Sequence, residues 1–301
     1  MKPVFELNNV VCRYGRKAAL NGFSLRGERG EVIAMLGENG AGKTTAIRVL
    51  LGYLRPKAGV SRVFGLRSET RSTEIRRRLG YVCDEPALYD YMKVEQIGWF
   101  CAGFYEPGFV ENFLSKIEEF GVPRDQRIRT LSRGQRAKVS LSLALAHEPE
   151  FLVMDEPTAG LDPVVRRQFL ESMVDIAAQG TTVLLASHQV GEVERVADRV
   201  AIVKGGRVDI CEPVDVLKET MCEVRITWVN GSTEIPASMK NSVVSRLDSN
   251  RQSRVFLRDF DEHAAGQLSQ HEGVAAVEVH SPSLEEIYVA CVSDQGQEVT
   301  E

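Results

Sequence analysis

The chain has 301 residues, a length that favours two domains of about 150 residues each. Hydrophobic residues make up 43% and charged residues 26%, which is typical of globular proteins and excludes fibrous and disordered classes. The longest apolar run, Val139–Ala146, is far shorter than the roughly 18 residues of a membrane-spanning helix. The first twenty residues also lack the apolar core of a signal peptide. We therefore expect a soluble protein of the cytoplasm.

Charge is distributed unevenly along the chain. Residues 221–301 hold 13 acidic and 6 basic side chains, whereas residues 1–220 hold 31 basic and 29 acidic ones. Phosphate backbones are bound by basic surfaces, so no direct contact with nucleic acid is expected. The six cysteines have neither the paired spacing nor the histidines of a zinc site or a disulfide framework.

A glycine-rich loop follows the apolar run Val32–Leu36. Helical spacing of apolar residues predicts a helix from Lys43 to Leu51 directly after it. A strand, a loop and a helix in this order are the context in which the pattern GxxxxGK[ST] binds phosphate. The loop consists of Gly37, Glu38, Asn39, Gly40, Ala41, Gly42, Lys43 and Thr44.

Further buried strands are predicted at Phe151–Met154, Thr182–Ala186 and Val200–Val203. An amphipathic helix lies between the first two, with Asp162 as its N-cap and Pro163 at its first position. Buried strands that alternate with amphipathic helices indicate an α/β fold with a doubly wound, largely parallel sheet. Such sheets bind ligands at the carboxyl ends of their strands, where the glycine-rich loop also lies.

The pattern changes near residues 215–221. Alternating residues from Cys222 to Trp228 predict a strand, and Asn230-Gly231 is typical of a tight hairpin turn. Ser283 and Glu286 form a capping box before a last helix. We assign residues 1–217 to the α/β domain and residues 218–301 to a small C-terminal α+β domain.

The loop and the strand ends suggest nucleotide chemistry. Backbone N–H groups from Gly37 to Thr45 and the ammonium of Lys43 would hold the β- and γ-phosphates of a nucleotide, as in a kinase or a GTPase. The Thr44 hydroxyl and Asp155 are candidate ligands of Mg²⁺. Glu156, the next residue, is suited to polarising an attacking water.

Three further motifs narrow the class of nucleotide-binding protein. Leu131–Gln135 reads LSRGQ, which resembles the LSGGQ signature of ATP-binding cassette (ABC) proteins. Ala159–Asp162 resembles the D-loop of that family, and His188 its switch histidine. The resemblance covers residues 3 to about 215. It implies a P-loop NTPase cassette, a RecA-like core with a helical subdomain at about 85–130.

The resemblance also implies roles for single residues. Such cassettes pair, so Ser132, Gly134 and Asp162 would complete the ATP site of a second subunit, and His188 would bridge the γ-phosphate and Glu156. Tyr14 falls where cassettes stack an aromatic ring on adenine. Plainer interpretations stay open: Tyr14 as a turn residue, His188 as a core histidine and Asp162 as a helix cap alone.

Two residues depart from the family pattern. Asp84 stands where a metal-contacting glutamine is usual, and we interpret it as a further Mg²⁺ ligand. Arg133 replaces the first signature glycine, where it is either a solvated surface residue or an aid to phosphate binding.

The family resemblance implies an ATPase subunit of a transporter, bound peripherally to the cytoplasmic face of the plasma membrane. Its partners would be a separate transmembrane permease subunit and a second ABC subunit, in a homodimer or heterodimer. The C-terminal extension resembles that of ABC-2 type exporters. The alternative is a soluble ABC ATPase that acts on ribosomes, nucleic acid or a regulatory partner. The helical subdomain would dock on the permease through Leu88, Tyr89, Tyr91 and Met92, unless these residues serve only core packing.

Overall fold

The structure is a computed structural model that describes residues 2–229, 231 and 235–292. The chain divides into two compact units, Met1–Cys211 and Glu212–Glu301. The division lies before the predicted boundary at residue 217, because a short helix, residues 214–220, packs against the first long strand of the second unit.

Strands and helices alternate through most of the first unit. The strands are β1 (Phe5–Tyr14), β2 (Lys17–Gly27), β3 (Val32–Leu36), β4 (Ala58–Val63), β5 (Leu66–Arg67), β6 (Leu79–Cys83), β7 (Phe151–Asp155), β8 (Thr182–Ser187), β9 (Arg199–Lys204) and β10 (Arg207–Pro213). The last two residues of β10 lie past the division between the units. The helices are α1 (Lys43–Leu50), α2 (Ser72–Arg77), α3 (Val94–Ala102), α4 (Phe109–Glu119), α5 (Arg133–Leu145), α6 (Pro163–Ala178) and α7 (Val190–Val196).

A six-stranded sheet forms the centre of this unit, in the order β10-β9-β3-β8-β7-β6. The strands β9, β3, β8, β7 and β6 run parallel to one another. Every residue of β3, β7 and β8 is buried, as expected for parallel strands covered on both faces. Since the carboxyl ends of β3, β8, β7 and β6 meet at one edge, the loops that follow them converge there.

A second, antiparallel sheet has the order β2-β1-β4-β5. This sheet, α1 and the parallel sheet share one apolar core. In that core, Phe5 stacks on Phe151 with ring centroids 4.9 Å apart. The turn after β9 supports the glycine-rich loop from behind. Gly206 donates its N–H to the Ala41 carbonyl and accepts one from Asn21 on β2.

The helices α3, α4 and α5 surround a core of their own. Its buried side chains include Ile97, Phe113, Ile128 and Val139. Phe113 is fully buried and lies against Gly98 of α3. The helices α3 and α4 lie within the range of about 85–130 predicted for a helical subdomain, whereas α5 lies beyond it.

The described part of the second unit contains three short α-helices and a four-stranded sheet. Its elements are α8 (Val214–Thr220), β11 (Met221–Trp228), β12 (Val243–Ser249), β13 (Gln252–Arg258), α9 (Glu262–Ser269), β14 (Val274–His280) and α10 (Leu284–Val292). The sheet order is β12-β13-β11-β14, and the pairings are antiparallel. Trp228 is buried and donates its indole N–H to Ser253 at 2.7 Å. Glu223 is 2% exposed, and the hydrogen bond from Arg254 lowers the pKa of its carboxyl group.

The hairpin turn predicted at Asn230-Gly231 falls partly outside the described residues, which do not include Asn230. Among the described strands, β11 pairs with β13 and β14. A tight turn joins β12 and β13 at Asn250, which has a φ of 39°. Within the described part of the chain, no helix has both the length and the apolarity needed to cross a membrane.

Gly98 and Gly103 provide a matched test of the helical core. A Cβ on Gly98 would overlap the ring of Phe113, whereas one on Gly103 would lie 3.6 Å from the Phe100 carbonyl, an ordinary contact. Alanine gains up to about 1 kcal/mol of helix propensity, but overpacking a core costs about 1–3 kcal/mol. We expect Gly98→Ala to lower the urea midpoint of unfolding and Gly103→Ala to leave it unchanged or raise it. Equal shifts in both variants would contradict this packing.

Candidate functional site

The glycine-rich loop connects β3 to α1. Gly40 and Gly42, with φ of 86° and 116°, adopt backbone conformations that favour glycine. Gly42 is the N-cap of α1, and among the described residues no side chain caps this helix. The first N–H groups of α1 therefore remain available, and the helix dipole favours an anion at this end.

Lys43 extends from the first turn of α1 back over the loop. Its ammonium donates to the Gly37 carbonyl at 2.5 Å and to the Glu38 carbonyl at 3.3 Å. It also lies 3.2 Å from Oε1 of Glu156. The side chain is only 5% exposed, so its position is set by these three oxygen atoms.

Glu156 occupies a strained position at the end of β7. Its φ is 50°, a left-handed conformation that is uncommon for residues other than glycine. Its backbone N–H donates to the Ala186 carbonyl on the neighbouring strand β8 at 2.9 Å. This backbone turn directs the carboxylate toward Lys43 on one side and His188 on the other. His188 Nδ1 lies 2.8 Å from Oε2 of Glu156.

Asp155 precedes Glu156 and is almost fully buried. Burial raises the pKa of its carboxyl group, and a hydrogen bond with the Thr44 side chain opposes that rise. The Oδ1 atom has no hydrogen-bond partner among the residues that the structure describes. A buried carboxylate oxygen without a partner, next to a hydroxyl group, fits a hard cation such as Mg²⁺. The role of Asp155 and Thr44 as Mg²⁺ ligands stays a prediction, which this chemistry fits.

The signature residues lie at the start of α5. Ser132 caps this helix, because its Oγ accepts the Gln135 N–H at 3.2 Å and its own N–H donates to the Gln135 side chain at 2.9 Å. Gly134 is buried, and a Cβ there would lie 3.1 Å from Val165 of α6. Asp162 caps α6 by accepting the N–H groups of Val164 and Val165.

The two departures from the family pattern contact each other. Arg133 Nη2 donates to Oδ1 of Asp84 at 2.9 Å, and both side chains are largely exposed. The guanidinium also lies against Gly160, where a Cβ would overlap it. In this arrangement the Asp84 carboxylate is engaged by Arg133, and its role as a third Mg²⁺ ligand stays a prediction.

Four residues around this edge, Glu192, Thr158, Ser187 and Arg166, are not identified by sequence patterns. Glu192 of α7 accepts hydrogen bonds from Thr158 and Ser187, and Arg166 lies beside it. The four-residue spacing between His188 and Glu192 is a signal that could have marked the latter.

Tyr14, at the β1–β2 turn, is 49% exposed, which leaves its ring face accessible.

Comparisons with known proteins identify the family of this chain. Residues 20–159 match the ABC transporter family. The chain is 30% identical to a Nod factor export ATP-binding protein I of Rhizobium etli, over 94% of this chain and 92% of that protein. The chain belongs to the family of ABC transporter ATP-binding proteins.

Two further similarities extend this assignment. An uncharacterized ABC transporter ATP-binding protein of Nostoc sp. is 29% identical over 92% of this chain and 84% of that protein. A solved ATP-binding subunit of an ABC transporter superposes with a TM-score of 0.66 at 28% identity, covering 72% of this chain and 92% of that one. The chain is therefore an ATP-hydrolysing subunit with the P-loop ABC fold, as the sequence predicts. The Rhizobium etli similarity also extends beyond the first unit.

The role of Asp84 in this ABC ATPase can be tested by magnesium titration. A carboxylate near Mg²⁺ strengthens metal binding and repels the nucleotide. We expect Asp84→Asn to need more Mg²⁺ for half-maximal hydrolysis and to bind ATP without metal at least as well as the wild type. Arg133→Gln releases the carboxylate and should shift the Mg²⁺ requirement the opposite way. An unchanged requirement in Asp84→Asn would remove this residue from the metal site.

Proposed function

We propose that this chain drives an exporter by hydrolysing ATP as one of two paired ABC subunits. The observation that carries the proposal is the position of the Glu156 carboxylate, between Lys43 of the phosphate loop and His188. Lys43 lies at the start of α1, Glu156 directly after β7 and His188 directly after β8, all at one edge of the parallel sheet. Their convergence supports phosphate chemistry over any purely structural role.

Nucleotide binding would begin at the loop. The free N–H groups at the start of α1 and the Lys43 ammonium would hold the phosphates of ATP. The loop residues Gly37, Glu38, Asn39, Gly40, Ala41, Gly42, Thr44 and Thr45 would surround them, and Tyr14 would stack on the adenine. Mg²⁺, held by Thr44 and Asp155, would neutralise phosphate charge.

Glu156 would then act on the attacking water. Its carboxylate is paired with Lys43 in this structure, and a bound γ-phosphate would compete for that lysine. Release from Lys43 would leave Glu156 free to accept a proton from water, while His188 remains within hydrogen-bond distance of Oε2. Because the pair lies in a partly buried site, each charge interaction is stronger than it would be in water.

A second subunit would complete the ATP site. This chain has one phosphate loop and one signature, and the family pairs the two across subunits. The start of α5, with Ser132 and Gly134, presents a helix N-terminus suited to a γ-phosphate. Arg133 would add positive charge there once it leaves Asp84. Asp162 would contribute from the neighbouring D-loop.

The helical subdomain offers a surface for the membrane subunit. Five exposed aromatic residues, Tyr89, Tyr91, Trp99, Phe100 and Phe104, form what we call the aromatic surface. Tyr89 lies 5.9 Å from Tyr91 and 5.2 Å from Phe100, and Phe100 lies 6.1 Å from Phe104, measured between ring centroids. Leu88 and Met92 pack instead against the core of this subdomain. Large exposed apolar patches typically mark interaction sites.

This surface favours a transporter over a soluble ABC ATPase that acts on ribosomes or nucleic acid. A partner rich in phosphate would require a basic surface, whereas exposed rings suit an apolar segment of a permease. Export is supported by the relative of Rhizobium etli, whose name describes Nod factor export. The chain would then lie on the cytoplasmic face of the membrane.

Replacing Glu156 tests the proposed hydrolysis. Glu156→Gln keeps the shape of the side chain but cannot accept the proton, and it frees Lys43 of a competing charge. We expect kcat to fall by at least about a hundredfold, ATP to bind at least as tightly, and ATP-bound dimers to accumulate in size-exclusion chromatography. Lys43→Ala should instead weaken ATP binding. Hydrolysis by Glu156→Gln within about threefold of the wild type would exclude Glu156 as the base.

Replacing the aromatic surface tests the membrane partner. Phe104 is 68% exposed and Val174, on α6, is 45% exposed, so serine at either position should be tolerated by the fold. We expect Phe104→Ser to reduce recovery of a permease with this chain from detergent-solubilised membranes, measured by mass spectrometry. Val174→Ser serves as the control. Equal recovery with both variants would argue against docking at this surface.

A further inference from the structure

Glu192 is a buried carboxylate that the proposed hydrolysis does not use. It lies on α7, four residues after His188, and its side chain is only 5% exposed. A buried charge is costly unless it is paired and hydrogen-bonded. The partners of this carboxylate therefore indicate what it holds in place.

Both hydroxyl groups bound to Glu192 come from the segments that carry the reacting residues. Thr158 Oγ1 donates to Oε2 at 2.7 Å, and Ser187 Oγ donates to the same atom at 3.3 Å. Thr158 is two residues after Glu156, and Ser187 is the residue before His188. Thr158 and Ser187 are each 1% exposed. One oxygen atom thus joins the loop after β7 to the end of β8.

Arg166 of α6 extends the same cluster to the D-loop. Its Nε lies 3.4 Å from Oε1 of Glu192. Its Nη1 donates to the Gln189 side chain at 2.7 Å, and its Nη2 donates to the Leu161 carbonyl at 3.2 Å. Leu161 precedes Asp162, and Gln189 follows His188. The arginine thus lies near the other carboxylate oxygen of Glu192 and contacts both segments.

We propose that Glu192 is a positioning residue for hydrolysis, which fixes Glu156 and His188 at their 2.8 Å separation by tying the segments that carry them to each other. The inference rests on the proposed function, in which this pair acts on the attacking water. Among the described residues, Glu192 has no hydrogen bond or ion pair with the phosphate loop, so its effect falls on the chemical step and not on ATP binding.

The charge and the burial of Glu192 strengthen its hydrogen bonds to Thr158 and Ser187. Hydrogen bonds to an ionised group are about twice as strong as those between neutral groups. Glutamine in place of Glu192 still accepts one hydroxyl hydrogen bond, but it loses the charge and places an amide against Arg166 or a hydroxyl. The two segments would then shift relative to each other, and small displacements of reacting groups can cost up to about a hundredfold in rate.

The first experiment compares steady-state hydrolysis by Glu192→Gln and Glu171→Gln. Glu171 is an exposed residue of α6 that pairs with Arg167 at 2.7 Å, so it undergoes the same change of charge without the buried partners. We expect kcat of Glu192→Gln to fall by about tenfold or more while KM stays within about threefold. Glu171→Gln should match the wild type. A wild-type kcat in Glu192→Gln would overturn the proposal.

A double variant separates positioning from general loss of structure. If Glu192 acts through Glu156, the residual hydrolysis of Glu156→Gln will not fall further when Glu192→Gln is added, because the two changes disable one unit. Residual rates are measurable with γ-³²P-labelled ATP over long incubations. A further fall as large as that in the wild-type background would overturn the proposal.

Thr158→Val tests the same proposal if Glu192→Gln does not fold. Valine preserves the volume of threonine and removes one of the two hydroxyl donors, so we expect a smaller loss of kcat, again with KM unchanged. A wild-type kcat in this variant would count against the positioning role of Glu192. Loss of activity in Glu156→Gln together with full activity in Glu192→Gln and Thr158→Val would overturn only the positioning role. Full activity in Glu156→Gln would overturn the proposed base as well.

Discussion

The contact between Glu156 and Lys43 governs the arrangement of the whole nucleotide site. Two opposite charges lie 3.2 Å apart in a place where both are mostly screened from water, and each residue is held by further contacts of its own. Lys43 is fixed by loop carbonyls, and Glu156 by a left-handed backbone turn and a hydrogen bond to β8. The parallel order of β3, β8 and β7 places these groups at one edge. The sheet therefore acts as the frame that makes this contact possible.

Much of that frame is predictable from local sequence patterns. The strand Val32–Leu36 has the predicted bounds, and Asp162 and Ser283 act as caps as their sequence context indicates. These features depend on residues close together in the chain. The glycine-rich loop is equally local, since its φ values demand glycine at fixed positions. The fold class follows because buried strands and amphipathic helices alternate along the sequence.

Contacts between distant segments are harder to predict. The pairing of Arg133 with Asp84 joins residues 49 positions apart, and neither residue alone indicates the other. The Glu192 cluster involves α6, α7, the loop after β7 and the end of β8. The sequence places Glu192 four residues after His188 but does not indicate that its carboxylate is buried among these partners. In the second unit, β11 pairs with β13 and β14, which lie about 25 or more positions further along the chain.

Two connections in the first unit differ in their exposure to solvent ions. The Arg133–Asp84 pair is largely exposed, with 54% and 44% of the two side chains accessible, whereas Glu192 is buried. Dissolved salt screens exposed charges over a distance of about 8 Å at physiological ionic strength and leaves buried pairs almost unaffected. A concentrated electrolyte should therefore loosen the signature from the loop after β6 while the bonds around Glu192 persist. Ionic strength thus offers a way to weaken one connection and keep the other intact, without altering any residue.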